Sequence, residues 1–474
     1  MIKARESTFG STRRPHLVGI GGAGMSGIAA ALAAQGHRVT GSDLADSEAV
    51  RALREAGVAV AVGNAAENVP EDADLLIVSA AVRDGNPELE EARRRDLPVL
   101  KYAEALGALM AERRGIAVAG AHGKTTTTGL LAFVLSRLGA DPTFVVGGKV
   151  APLGGSSGVG EGPFLVAEAC EYDRSFHHLH PEIAIVTNID EDHLDYYSGI
   201  AEITEAFRVF ARHLPADGKL VTLNELSEAF GPDSGVSCPV EFVGLSGFAD
   251  WVAKDWEMNP RYTRFTAVRR REEVARVTLR LPGFHNVLSA TMVLAVADHL
   301  GFEPSAAAAA IGKFPGVSRR LELKFRRAGV TVLDDYAHHP AEIRASLASI
   351  RGMYPGARIW CVFQPHQASR TRFLIREFAA ALADADRVLV PDIYFARDSE
   401  EERRRISSFD LVKKVMNLGA NASYVPDFDE IVDRLLDRIR PGDVLVTMGA
   451  GDIFRVADVV KQRLERYGRA TIPS

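Results

Sequence analysis

The stretch "AGAHGKTTTTG", residues 119–129, sets Lys124 and a run of threonines behind two glycines, a combination that can hold nucleotide phosphates. Gly120 and Gly123 leave room for backbone amides to turn toward an anion, with Ala121 and His122 completing the loop. Lys124 supplies charge for β and γ oxygens, and Thr125 or Thr126 offers a hydroxyl to Mg²⁺. The common pattern G-x-x-x-x-G-K-[ST] has glycine where this chain has Val118, so the loop is shorter than usual. It keeps the working order nonetheless: an apolar strand, "IAVAG", then glycines, lysine, threonine and a helical pattern over 125–138. A chance Gly-Lys-Thr in a surface loop would lack those flanks.

A second glycine cluster, "GIGGAGMSG", fits G-x-G-x-x-G through Gly19, Gly21 and Gly24. Asp43 follows Gly24 by 19 positions (43 minus 24), at the end of the next strand-like run. Dinucleotide enzymes use this arrangement for a diphosphate at a helix N-terminus and a ribose on the acid. The same physics serves any nucleotide diphosphate, so the motif alone leaves an NAD-dependent oxidoreductase open. More acids stand where strands end: Glu168, Glu171 and Asp173 in "EACEYD", then Asp190, Asp192, His193 and Asp195 in "NIDEDHLD". Strand ends beside a phosphate loop are where metal-binding and water-orienting acids sit. Glu191 and Asp195 read as solvated turn residues. His177, His178 and His180 in "FHHLHP" lack zinc spacing, and the expectation there is a solvated loop.

Residues so far apart in sequence converge only if a sheet brings strand ends together. With 474 residues, 47% hydrophobic and 25% charged, the chain can bury roughly three cores of ordinary size. A net charge of -6 without a basic block argues against nucleic acid as a partner. The three cysteines have no C-x-x-C spacing and fit a reducing cytoplasm. The basic N-terminus before "HLVGIGGAGMSG" superficially resembles a signal peptide, but the strand–turn–helix pattern outweighs that reading. No apolar run of about 18 residues is long enough to span a membrane.

Short apolar runs alternate with helical patterns along most of the chain, which is the signature of parallel sheets covered by helices. The expected fold class is α/β with three domains: a Rossmann-like domain over 1–112, a central P-loop domain over 113–315, and a Rossmann-like C-terminal domain over 316–474. The central domain has a mostly parallel sheet, with a small antiparallel sheet from the alternating runs "YTRFTAV" and "VARVTLRL". The charged segment "ARDSEEERRRISS" reads as a surface loop.

With "GFHNVLSA", "FPGVSRR", "DDYAHHPAEI", "QPHQASRTR" and "GAGDI" added in order, the motifs resemble those of the Mur ligases over about residues 15 to 465. Within that family the chain is most similar to the branch that joins L-alanine to UDP-N-acetylmuramate in peptidoglycan precursor synthesis. The resemblance implies ATP and Mg²⁺ as cofactors, a cytoplasmic location and a monomer or homodimer. It assigns the first glycine motif to the UDP-sugar, with Gly21, Gly22, Gly24, Met25, Ser42, Asp43, Ser79 and Asn86 as substrate-binding residues. It implies that Lys124 acts on the β and γ oxygens, that Thr125, Glu168 and His193 hold metal, and that Asn286 contacts adenine. Arg320 and Asp335 reach ATP phosphates and ribose when the third domain closes, while His366 and Arg370 surround the incoming amino acid.

Two departures stand out: Cys170 occupies a position usually held by Asp, and Gln367 one often held by Arg. The segment "AEITEAFRVFARHLP" lacks the lysine that several sister ligases carbamylate, as expected of the alanine-adding branch. A ligase attaching a preformed tripeptide to the same sugar nucleotide is the nearest competing reading, since its "EADEYD" is similar to "EACEYD" here. A non-catalytic nucleotide-binding regulator would not need the Lys-Thr pair and acids.

Overall fold

The computed structural model describes residues 9–10, 13–193, 196–246, 248–259, 261–395 and 398–467. One compact unit comprises the chain up to Trp256 together with Arg264–Leu279 and Asn286–Pro315; the other comprises Glu257–Thr263, Arg280–His285 and the chain from Gly316 onward.

The first unit contains two sheets. In the N-terminal sheet, β1 (Pro15–Val18), β2 (Thr40–Asp43), β3 (Ala59–Val62), β4 (Leu75–Val78) and β5 (Val99–Lys101) are all parallel, in the order β3-β2-β1-β4-β5. The order reverses between β1 and β4, and the strands' C-terminal ends open a crevice there. Strands β1 and β4 are buried along their whole length, which is why "PHLV" and "LLIV" carry apolar runs and not an alternation.

The second sheet has ten strands. They are β6 (Arg114–Ala119), β7 (Thr143–Val150), β8 (Gly155–Gly158), β9 (Phe164–Glu168), β10 (Ile183–Val186), β11 (Lys219–Leu223), β12 (Val240–Gly244), β13 (Trp251–Met258), β14 (Thr263–Arg269) and β15 (Glu272–Leu279). Their order is β15-β14-β13-β12-β11-β10-β6-β9-β7-β8. Strand β6, buried from Gly115 to Ala119, lies between β9 and β10 in parallel register, so the phosphate loop and both acidic motifs leave from neighbouring strand ends. The expected small antiparallel sheet is a continuation of this one. Strands β14 and β15 form a hairpin through Arg270 and Arg271, both at positive φ as a two-residue turn requires.

The two sheets of this unit share one hydrophobic core, which runs from Leu17 and Ile28 to Ala117, Phe176 and Phe207. The helix Tyr102–Ala111 enters that core, and at Gly107 it comes so close to the segment after Phe176 that an added Cβ would lie 2.1 Å from the His178 carbonyl oxygen. His177 belongs to the same packing. Its ring stacks on Phe176, its Nε2 hydrogen-bonds the Ala206 carbonyl at 2.8 Å, and burial pushes its pKa down. This corrects the expectation of a solvated loop for His177 alone, whose flat ring with one satisfied nitrogen packs beside Phe176; His178 and His180 are exposed, as expected. No group of three or more His, Cys, Asp or Glu side chains placed to hold one metal ion occurs among the described residues.

The second unit is built on a six-stranded sheet of β16 (Glu322–Arg327), β17 (Val330–Asp335), β18 (Ile359–Phe363), β19 (Arg387–Val390), β20 (Ala422–Tyr424) and β21 (Val444–Met448). The order is β16-β17-β21-β18-β19-β20, parallel except for β16. The charged segment expected as a loop contains a helix, Glu400–Arg405. Ser399 caps it by accepting from Glu402 N, acids fill its first turn and arginines its last, and Arg403 pairs with Glu400. Local capping and charge order of this kind stabilise even a short helix. No helix among the described residues is long and apolar enough to cross a membrane.

Gly107 gives a test in which propensity and packing have opposite signs. Alanine is intrinsically favoured over glycine in a helix by about 1 kcal/mol. Overpacking against fixed backbone costs about 1–3 kcal/mol or more. Gly107→Ala is expected to lower the urea midpoint, and a raised midpoint would mean that the close approach at His178 is absent.

Candidate active site

Strand β6 ends at Ala119, and the chain turns through 120–123 into the helix Lys124–Arg137. Val118 is a fully buried strand residue, registered against Glu168 on β9 and Ile185 on β10. The first glycine of the loop is therefore Gly120. Its φ is +140°, and a Cβ there would lie 2.0 Å from Thr187 Oγ1.

Asn188, which sequence reasoning missed, clamps the loop from the end of β10. Its Oδ1 accepts from His122 N at 2.9 Å, its Nδ2 donates to His122 O at 2.9 Å, and Thr187 Oγ1 donates to the same carbonyl at 2.6 Å. The available signal was a polar "TN" pair directly after the buried run "IAIV". Asp190 follows, with Oδ2 3.5 Å from His122 Nε2, and Glu191 is exposed. Asp195 lies outside the described residues.

Lys124 folds back on its own loop. Its Nζ donates to the carbonyls of Gly120 and Ala121 and to Oε1 of the buried Glu171 carboxylate at 3.0 Å, with Oε2 2.9 Å away. Burial works against the ammonium, but the carboxylates, Glu171 foremost, outweigh it and hold the lysine above its ordinary pKa. Glu171 is fixed from behind, where Tyr197 donates to its backbone carbonyl at 2.5 Å. His193 Nε2 stands 3.7 Å from Glu171 Oε1, and its ring lies 4.9 Å from that of Tyr172.

Glu168 accepts from Thr125 Oγ1 at 3.2 Å and from Gly147 N. Of the two threonines, Thr125 is buried and bonds Glu168, while Thr126 is partly exposed. A hydroxyl and a carboxylate oxygen one hydrogen bond apart, beside a phosphate loop, are hard oxygen donors of the kind Mg²⁺ takes. Asp173 points elsewhere, its carboxylate 3.8 Å from Lys101 Nζ. Cys170 is exposed, and Cys238 and Cys361 are buried free thiols. Asn286 is buried near the start of the helix Phe284–His299. In the next turn Ser289 accepts from Thr127 Oγ1 at 3.0 Å, so this helix lies alongside the one that follows the phosphate loop.

A cavity of about 560 Å³ opens at the crevice between β1 and β4. Of the residues expected to bind substrate there, Gly22, Asp43, Ser79 and Asn86 line it. Gly24, Met25 and Ser42 are not among its lining residues, and for Ser42, whose side chain is fully buried, this corrects the assignment. Gly24 lies against the Tyr102 ring, Met25 is buried in the core, and Ser42 is fully buried with its hydroxyl turned to Glu88. Gly21 N donates to Asp43 Oδ2 at 2.8 Å. Asn64 and Arg83 also line the cavity and were not foreseen. Arg83 brings a cation to a wall whose sequence, "AAVRDGN", shows only a polar loop after a strand.

The second unit contributes its own cluster. Arg319 is held by Asp334 at 3.1 Å and by the carbonyls of Gly449 and Gly451. Its neighbour Arg320 lies over the Tyr336 ring, with Glu342 3.8 Å away. Asp335, expected as a ribose contact, is buried instead: its carboxylate accepts from Leu321 N, Ala337 N and Ser346 Oγ. As folded it anchors the loop that carries Arg320, because a carboxylate buried beside three donors is satisfied by them. Burial lifts its pKa to about 6 against the pull of Arg320. His339 caps the helix Pro340–Met353. The ring of His366 stacks on Tyr394, and Arg370 lies on the short helix Ala368–Phe373, close enough to His338 to disfavour its protonation after burial has done so. Gln367, at φ +71°, starts that helix, and its carbonyl accepts from Thr371 Oγ1 at 2.7 Å.

Residues 14–114 match the Mur ligase family catalytic domain, 118–297 the Mur ligase middle domain, and 319–451 the Mur ligase glutamate ligase domain. The chain is 43% identical to a UDP-N-acetylmuramate--L-alanine ligase of Rubrobacter xylanophilus, over 95% of this chain and 99% of that one. It belongs to the Mur ligase family. An alanine ligase of Caldanaerobacter subterraneus is 40% identical to this Mur ligase, over 94% of this chain and 96% of its own. Among solved structures, the UDP-N-acetylmuramate-alanine ligase of Thermotoga maritima superposes with a TM-score of 0.80 at 30% identity, over 96% of this chain and 99% of that one. A murein peptide ligase of Psychrobacter arcticus gives 0.69 at 25%, over 98% and 100%.

Two outcomes follow for this Mur ligase. If the loop holds ATP, Lys124→Ala removes a charge that would offset the phosphates, and turnover should fall on the order of a thousandfold. Ligand binding at the β1–β4 crevice, measured by calorimetry, should stay unchanged, and wild-type turnover would mean that the loop is not the ATP site. The second outcome concerns Asp335, whose folded pKa of about 6 exceeds the ordinary aspartate value of about 3.9. Between those values the folded protein keeps a proton that the unfolded chain has lost, so this group lowers stability as pH rises through about 4 to 6. Asp335→Asn lacks the effect. Its melting temperature relative to wild type should rise across that window and level off above about pH 7, and a pH-independent difference would refute the raised pKa.

Proposed function

We propose that this chain joins L-alanine to the lactyl carboxylate of UDP-N-acetylmuramate, converting ATP to ADP and phosphate, in peptidoglycan precursor synthesis. What carries the proposal is identity to named alanine ligases across nearly the full length of both chains. The phosphate loop and the β1–β4 crevice agree with it. The NAD-dependent reading had only the first glycine motif behind it, and that motif suits a sugar nucleotide equally well.

A carboxylate does not acylate an amine at neutral pH, so it must first be activated. A carboxylate oxygen attacks the γ-phosphorus and ADP leaves, giving an acyl phosphate. The free amine of L-alanine then attacks the acyl carbon, the tetrahedral intermediate expels phosphate, and the amine's proton passes to solvent.

In this reading Lys124, whose ammonium Glu171 favours, offsets negative charge on the β and γ phosphates while the 120–126 backbone wraps them. Thr125, Glu168 and His193 would hold Mg²⁺, which when bound supplies charge neutralisation between phosphates. Asn286 is assigned to adenine, Arg320 to the phosphates, and His366 with Arg370 to the amino acid and its carboxylate. Gly22, Asp43, Ser79 and Asn86, joined by Arg83, are assigned to the UDP-sugar. The reaction is placed in the cytoplasm, where free thiols such as these persist.

The experiment is ADP release with ATP, Mg²⁺, UDP-N-acetylmuramate and one acceptor at a time: L-alanine, glycine, L-serine or L-alanyl-γ-D-glutamyl-meso-diaminopimelate. L-alanine should give the highest kcat/KM. A faster reaction with the tripeptide would overturn the proposal in favour of the recycling activity, a reading that the structural match to a murein peptide ligase keeps in view.

A further inference from the structure

Behind the β1–β4 crevice lies a buried carboxylate that no step above uses. Glu88 is fully buried, yet all of its acceptor capacity is taken. Oε2 accepts from Ser42 Oγ at 2.5 Å and from His16 Nε2 at 3.1 Å, and Oε1 accepts from Asn68 Nδ2 at 2.9 Å and from Ala65 N at 3.2 Å. His16, itself buried, is held on its other nitrogen by Thr40 Oγ1 at 2.8 Å. A carboxylate in the core of a small sheet is costly unless it is saturated in this way, and an apolar residue would serve packing alone at least as well.

The four donors come from three segments, β1, β2 and the stretch 65–68, and the last two, together with the segment of Glu88 itself, carry walls of the cavity. Ser42 precedes Asp43 at the end of β2, Ala65 follows Asn64, and Glu88 itself follows Asn86 and Pro87 at the start of the helix Pro87–Arg94. Asn86 in turn caps that helix by accepting from Glu88 N at 2.9 Å. Asp43, Asn64 and Asn86 all line the cavity, and each is one or two residues from an atom that Glu88 holds or supplies.

We infer that Glu88 is a positioning residue for the nucleotide-sugar site: it holds the walls bearing Asp43, Asn64 and Asn86 at the spacing UDP-N-acetylmuramate requires, without touching the ligand. The inference rests on the function proposed above and adds a residue to it. Hydrogen bonds that only stabilised the fold would leave the affinity of folded molecules unchanged, whereas bonds that set wall spacing act on affinity for one substrate.

Glu88→Gln keeps the shape but replaces one acceptor oxygen with an NH₂ group that faces two donors, so one wall is released. Ser42→Ala releases the β2 wall alone and is the milder variant. Calorimetric titration of UDP-N-acetylmuramate into wild type, Glu88→Gln and Ser42→Ala, together with steady-state kinetics, tests the inference. For Glu88→Gln the expected result is Kd and KM for the sugar nucleotide raised about tenfold or more, with KM for ATP and for L-alanine within about twofold of wild type. Ser42→Ala should show a smaller shift of the same kind, and it carries the test if Glu88→Gln does not fold. Unchanged affinity in folded variants, even with a lower melting temperature or a lower kcat, would overturn the positioning role while leaving the proposed function intact. A wild type that does not bind UDP-N-acetylmuramate would instead overturn the function and the inference with it.

Discussion

A buried ammonium must be paired, and much of the first unit follows from how Lys124 is paired. Its partners are two carbonyls of its own loop and the carboxylate of Glu171. The loop can present those carbonyls only because Gly120 takes a conformation with no room for a side chain, pressed against Thr187. Glu171 can reach only because β9 lies directly beside β6. The carboxylate offsets the desolvation that works against the ammonium. The same sheet order puts β10 on the other side of β6, and from there Thr187 and Asn188 hold His122. Strand adjacency, backbone conformation and protonation state are thus one coupled arrangement.

The N-terminal sheet solves a related problem by similar means. A crevice at the reversal of strand order has walls from different segments, and nothing in a parallel ladder fixes how far apart those segments stand beyond the last strand residue. Glu88 supplies such ties from inside, with His16 and Ser42 on one oxygen and Asn68 and Ala65 on the other. In both sheets a buried carboxylate organises the loops around a site for anionic ligands. Glu171 is countered by a lysine and Glu88 by neutral donors with a histidine.

In the second unit the neighbouring arginines of "SRR" have separated roles. Arg319 is consumed by structure, bridging Asp334 and the carbonyls of the "GAG" loop. Arg320 projects from a loop that Asp335 anchors through Leu321 N. A closely spaced pair of like charges is tolerated because one is neutralised by a fully buried carboxylate.

The sequence by itself determined the α/β class, the strands that end in the motifs, the phosphate loop and the family. These depend on local features: buried runs such as "IAVAG" and "IAIV", the glycines that follow them, and ordered motifs whose chemistry admits few substitutes. Tertiary structure alone decided which residues face the sites. Ser42 and Asp43 are adjacent, but strand alternation sends one to Glu88 and lets the other line the cavity. Asp335 reads as a ligand contact until its three internal donors are seen, and His177 reads as part of a solvated loop until Ala206 is found beside it. Asn188 and Glu88 escaped notice because their side-chain partners lie far away in the chain. Which donor meets which acceptor across such distances is set by strand order and helix docking, and neither leaves a periodic trace in the chain.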